Sequence, residues 1–120
     1  MTKLIELSTD ELAGMLKKED TRIIDVRPVE AYNGWKLKNE IRGGHIKGAK
    51  SLPKKWSEEV DWLDVVRSKH VLPEHKIVVY GYTTEQSEIV ANSFITAGYN
   101  NIFIYNNFIK EWAGDQEWPM

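Results

Sequence analysis

The sequence contains no cysteine. Disulfides, thiolate metal sites and every mechanism with a cysteine nucleophile are therefore excluded for this chain. It also lacks any apolar run approaching the roughly 20 residues that a membrane-spanning helix requires, which excludes a transmembrane protein. A surplus of charge of either sign is missing too: 16 Lys and Arg stand against 18 Asp and Glu, a net charge of -2. No global field would hold such a chain on nucleic acid or on an anionic membrane. Internal repeats, low-complexity tracts and Gly/Ser linkers are absent as well. The opening segment, MTKLIELSTDEL, has one lysine followed by acidic residues before any useful apolar run, which does not make a secretory signal. A longer exported precursor stays compatible with it; the compartment is unknown, and cytoplasmic by default.

What is present is one domain's worth of chain, 120 residues with 42% hydrophobic content, enough for a single core. Ser8 stands three residues before Glu11, a capping box with Leu7 and Leu12 at staple positions, and predicts a helix from about Thr9 to Lys17. Leu12, Met15 and Leu16 form its apolar stripe. Thr21 to Val26 is β-branched and apolar, a buried strand stopped by Pro28. Ala49 to Leu52 forms a short strand before Pro53. Beyond it Trp56, Val60, Leu63 and Val66 recur at helical spacing with Ser57 as cap, predicting a helix over Ser57 to Ser68. Lys76 to Tyr80 (KIVVY) is a continuous apolar strand, as expected when both faces are covered. A helix over Ser87 to Ala97 with Gly98 at C′, a strand at Ile102 to Tyr105 and a short helix around Phe108 to Ala113 complete the series. Strands alternating with helices imply an α/β fold, a parallel sheet with helices on both faces.

In such a sheet ligands bind beyond the carboxyl ends of the strands. The loop after Tyr80 reads Gly81, Tyr82, Thr83, Thr84, Glu85, Gln86 and leads into a helix, so backbone N–H groups and the positive end of the helix dipole converge there on a place for an anion.

At these residues the chain resembles the rhodanese-like (thiosulfate sulfurtransferase) family over nearly its whole length. The resemblance is carried by DVRPVEAY at Asp25 to Tyr32, GGHIKGAKSLP at Gly43 to Pro53, KIVVY with its loop, AGYNNIFIY at Ala97 to Tyr105, and Trp112 followed by Pro119. It implies a small five-stranded parallel sheet with flanking helices. It also implies that the position after Tyr80 is where active members carry the cysteine that takes a sulfane sulfur as a persulfide. Here that position is Gly81. The step needs a polarisable thiolate whose pKa the cradle lowers from about 8.5. Glycine has nothing to offer, and the alcohols of Thr83, Thr84 and Ser87 do not form persulfides. Active loops often carry glycine and arginine where this chain has Thr84 and Gln86, and Glu85 would oppose an anionic donor. A phosphatase relative would need a cysteine and an arginine bracketing the loop, and neither is present.

The resemblance therefore implies a domain with no catalytic residue. Its expected role is as a structural or regulatory partner within a multidomain sulfurtransferase, beside another rhodanese domain of the same parent chain or a homodimer partner. The ending at Trp118, Pro119 and Met120 suits an excised domain. Two alternatives stand: a parent enzyme with cysteine at 81, or a small-anion-binding module. Asp25, Arg27, Gly44, His45 and Trp112 match the family motifs, with Asp25 and Arg27 expected to hold the loop architecture by hydrogen bonds and Arg27 retaining the option of anion contact. No cofactor is implied. His45, His70 and His75 have no companions at metal-ligand spacing, so no metal site is expected. Glu58, Glu59, Asp61 and Asp64 read as the polar side of a helix, not as paired catalytic acids. Trp56 and Trp112 read as core, with Trp35 and Trp118 open. Between Tyr32 and Gly44 the segment NGWKLKNEIRG is longer than the family commonly needs. Lys36, Lys38, Arg42, Lys47, Lys50, Lys54 and Lys55 in and after it oppose only Glu40, which makes either a docking surface for an acidic partner or a solvated basic loop.

Overall fold

The computed structural model describes residues 4–120; residues 1–3, on which part of the signal-segment reading rests, lie outside the described residues. Strands and helices alternate as β1 (Ile5–Leu7), α1 (Thr9–Met15), β2 (Thr21–Asp25), α2 (Val29–Tyr32), β3 (Lys50–Ser51), α3 (Trp62–Ser68), β4 (Lys76–Tyr80), α4 (Thr84–Thr96) and β5 (Ile102–Tyr105). A 3-10 turn (Lys54–Glu58) precedes α3, and a π-helical turn (Phe108–Trp112) follows β5. All the strands pair in parallel in the order β1-β5-β4-β2-β3. Central β4 is paired on both edges, with Val79 opposite Ile24 on one side and Ile104 on the other. Its residues Ile77 to Tyr80 are fully buried, which is why KIVVY is apolar without alternation. No helix among the described residues is long and apolar enough to cross a membrane.

Because successive strand residues point to opposite faces, the core divides into two layers. Ile24, Val26, Ile77 and Val79 pack with Trp62, Val66, Val90 and Phe94 of α3 and α4. Ile23, Val78 and Tyr80 face the other way, toward Leu7, Leu12, Phe108 and Trp112. The Ser8–Glu11 capping box forms reciprocally, at 2.8 and 3.1 Å. Helix α4 ends as expected at Gly98 (φ +97), where the Tyr99 N–H reaches the Phe94 carbonyl at 3.0 Å.

The structure differs from the sequence reading in four places. The helix expected over Ser57 to Ser68 is broken: Glu59 is extended (ψ 146), α3 starts at Trp62, and Ser57 donates its hydroxyl to the Lys54 carbonyl instead of capping. Val60, placed on the apolar stripe by spacing, is fully exposed at the break. Strand β1 has no signal of its own in the sequence, because Ile5–Leu7 is short and merges with the capping signal. Helix α4 begins at Thr84, three residues before Ser87, since Thr83 supplies the cap by accepting from the Gln86 N–H at 3.2 Å. Helix α2, a single turn after Pro28, carries too little periodicity to be seen in sequence.

Phe94 packs edge-on against Trp62 and Tyr99, with ring centroids 4.9 and 5.1 Å away, and joins α3 to α4. Phe94→Ala should cost about 3–5 kcal/mol in a urea titration.

Candidate functional site

The carboxyl end of β2 delivers two charged residues into the interior. Asp25 and Arg27 are both wholly buried, and a buried charge persists only when paired and hydrogen-bonded. The Arg27 Nη2 lies 2.7 Å from the Asp25 Oδ2, and Nε lies 3.0 Å from Oδ1. The same Nη2 donates to the Gly44 carbonyl at 2.6 Å, and Nη1 reaches the Glu40 Oε2 at 3.3 Å. The guanidinium stacks over the Phe108 ring at 4.4 Å. Every terminal nitrogen of Arg27 is thus engaged inside the protein, which leaves none for an anion outside. The Tyr80 hydroxyl donates to the Asp25 Oδ2 at 2.7 Å and accepts from the Ile46 N–H at 3.0 Å, and the Tyr82 hydroxyl donates to Glu40.

Burial alone would push the Arg27 pKa down, but the hydrogen bonds and charge of Asp25 reverse this and hold it protonated. Burial pushes the Tyr80 phenol well up, helped by Asp25, and raises Tyr82 to about 12 together with its bond to Glu40. For Glu40 burial works upward, yet the Tyr82 hydroxyl, backbone N–H donors and the Arg27 charge prevail, and its carboxyl titrates below the ordinary range.

Glu40 is also what fastens the segment from Asn33 to Gly43. It is 3% exposed and accepts the Lys38 N–H at 2.9 Å. The ends of the segment meet backbone to backbone: a Cβ on Gly43 would lie 2.2 Å from the Gly34 carbonyl oxygen, and Gly34 has φ +119. Arg42 donates to the carbonyls of Trp112 and Trp118. The result is a closed Ω-like loop. His45 stacks on Tyr32 with centroids 3.7 Å apart, and its Nδ1 lies 2.9 Å from the Tyr32 carbonyl. Among the described residues no group of acidic or histidine side chains is placed to hold a metal. Trp112 is fully buried and stacks on half-buried Trp118, Trp56 is half-buried against the first layer, and Trp35 stands in solvent.

The loop after β4 is shorter than the sequence suggested, because Thr84, Glu85 and Gln86 belong to the first turn of α4. Gly81 is buried, and a Cβ there would lie 2.7 Å from the Val26 Cγ2 and 3.5 Å from the Ser87 Oγ. Val26 is β-branched and buried, so it gives way only at a cost. The Thr83 hydroxyl is used as the α4 cap and the Ser87 hydroxyl donates to the Thr83 carbonyl at 3.2 Å, so both are committed to the helix start.

Beside Gly81 opens a cavity of about 320 Å³, lined by Tyr82, Thr83, Asn106, Lys38 and Lys110 among others. The two lysines supply cationic character that the loop itself lacks. No local pattern in the sequence brings them here: Lys38 arrives on the closed loop and Lys110 on the π-helical turn. Glu85 is exposed and lines no part of this cavity. Gln86 faces a separate cavity of about 180 Å³ with Val26, Pro53, Lys54 and Lys55.

The family model described as a rhodanese-like domain matches residues 8–115. Among solved structures, wild-type EanB is 48% identical with a TM-score of 0.96, covering 98% of this chain and 27% of that chain. An anaerobic ergothioneine biosynthesis enzyme from Chlorobium limicola, in complex with its natural substrate trimethyl histidine, is also 48% identical at a TM-score of 0.96, over 98% and 28% of the two chains. An EanB variant bearing a cysteine persulfide, with ergothioneine, is 48% identical at a TM-score of 0.92, over 98% and 27%. The chain therefore spans only about a quarter of the length of these relatives. No curated protein sequence matches it significantly.

Two outcomes follow from the buried charges. Asp25→Asn leaves Arg27 short of its main counter-charge and should lose about 3–5 kcal/mol of stability in denaturant titration. Since the folded Glu40 pKa is depressed, its contribution is complete above the ordinary glutamate value of about 4.3 and disappears as pH falls through the lower folded value. The protection factor of the Lys38 amide against hydrogen exchange should fall over that acid window, and Glu40→Gln should remove that pH dependence of the protection.

Proposed function

The chain belongs to the rhodanese-like domain family, and from that premise we propose that it is a catalytically silent member serving as structural or regulatory partner to a thiol-bearing sulfurtransferase domain. The observation that carries this reading is Gly81. Sulfur transfer in this family begins with a thiolate attacking a sulfane sulfur and displacing the rest of the donor, which requires a polarisable nucleophile at the end of β4. At that place there is no side chain, Val26 occupies the space where one would start, and the adjacent hydroxyls are engaged in capping. A sulfur-handling setting is supported by 48% identity to EanB, of which one structure holds a cysteine persulfide. The partner is another rhodanese-like domain, in the same parent chain or in a second copy, and neither nucleic acid nor membrane has a part. With Lys38 and Lys110 at its edge and no carboxylate in its lining, the cavity beside Gly81 suits a small anion in either case.

A second reading is favoured by one spacing. EanB structures include variants at a cysteine and at a threonine two residues beyond it, and Gly81 and Thr83 stand at the same separation. On that reading the parent enzyme carries cysteine at 81 and this chain is its nucleophile-free form.

Incubated with thiosulfate and cyanide, the domain should produce no thiocyanate above a no-protein control, and turnover above that level would sink the silent reading. Gly81→Cys, alone and with Val26→Ala to restore room, separates the two readings. A gain of one sulfur atom by intact mass after exposure to a persulfide donor supports a parental cysteine. A folded thiol that stays unmodified in both variants supports the silent partner.

A further inference from the structure

Three of the six large apolar side chains exposed among the described residues, Trp35 (69%), Leu37 and Ile41 (70%), fall in the closed loop between Asn33 and Gly43. This is not a segment free to fold its apolar groups away. Glu40 is buried among Arg27, Tyr82 and the Lys38 N–H, and Arg42 ties the loop to the carbonyls of Trp112 and Trp118. The loop's charge is one-sided as displayed: Lys36 and Lys38 are exposed, while its single carboxylate, Glu40, faces inward and is neutralised. A fastened, cationic platform bearing an exposed indole is the composition of an interface anchor.

Elsewhere on the molecule is a surface of complementary character. Between the 3-10 turn and α3 lies a groove of about 570 Å³ with walls of Trp56, Trp62 and Val65 and a rim carrying Glu59 and Asp61; Lys69 closes one end. Fully exposed Val60 stands between the two rim acids. The Trp62 Nε1 is buried without a hydrogen-bond acceptor. The closed loop is fastened to the layer containing Trp112, and the groove belongs to the layer containing Trp62. No residue of the loop lines the groove, so within one molecule the two surfaces stand apart.

We propose that a second copy of this chain docks head to tail, with Trp35 of one copy seated in the groove between Trp56 and Trp62 of the next and Lys36 and Lys38 facing Glu59 and Asp61. Apolar burial of the indole supplies the affinity, and the opposite charges set orientation and approach. The contact joins two different patches, so it is heterologous and extends to rings or short open chains. Docking in this way leaves Gly81 and the loop after β4 free but engages Lys38, which also lines the cavity beside Gly81.

Sedimentation velocity from micromolar to millimolar protein tests it. The weight-average mass should rise with concentration and fall back at high salt. Trp35→Ala should weaken self-association on the order of tenfold or more, and the pair Glu59→Lys with Asp61→Lys should do the same, with circular dichroism confirming that both proteins remain folded. Each variant keeps one intact surface, so an equimolar mixture of the two should form a complex of one copy of each that grows no further. A monomer at every concentration overturns the proposal. So does self-association insensitive to either variant, or a mixture in which the two do not combine.

Discussion

The site is organised around one guanidinium that cannot leave the interior. Arg27 sits at the end of β2, wholly buried, and its charge is tolerable only because Asp25, Glu40, the Gly44 carbonyl and the Phe108 ring all converge on it. Each partner belongs to a different part of the chain. Asp25 also holds the end of β4 through Tyr80, Glu40 holds the closed loop, and Gly44 fixes the turn that leads to β3. Desolvation makes the arrangement all or nothing: a missing partner exposes the remainder to the cost of an unpaired buried charge.

That arrangement explains why the architecture persists without the nucleophile. The network reaches the loop after β4 through the Tyr82 hydroxyl, and Thr83 then caps α4. None of these contacts involves a side chain at position 81. Glycine there allows Val26 to fill the space from the neighbouring strand end. Loop shape is maintained by electrostatics and capping, whereas sulfur chemistry would need one further group, so the two are physically separable.

Much of the fold was legible because its signals are local. The apolar run at Lys76 to Tyr80, the Ser8 and Glu11 pairing, and Gly98 after α4 each act within a few residues and form as the spacing predicts. Local pattern and structure part where a tertiary requirement overrides the spacing. Val60 falls at helical spacing from Trp56, yet the turn after Pro53 uses up the chain before α3 begins, and the valine points to solvent. By sequence Glu40 is the single offset to a basic surface; buried against Arg27, it offsets nothing outside.

The sequence by itself determined the alternation of strands and helices, the place of the loop after β4 and the absence of a thiol from it, because periodicity, capping and composition are properties of neighbouring residues. Only the tertiary structure decided that Lys38 and Lys110 stand beside Gly81, that Arg27 is spent on internal partners, and that an exposed apolar loop stands apart from a tryptophan-walled groove. Those facts depend on contacts such as Tyr80 with Asp25 and Tyr82 with Glu40, 55 and 42 residues apart in the chain. The sheet order brings such residues together, and no local pattern encodes it.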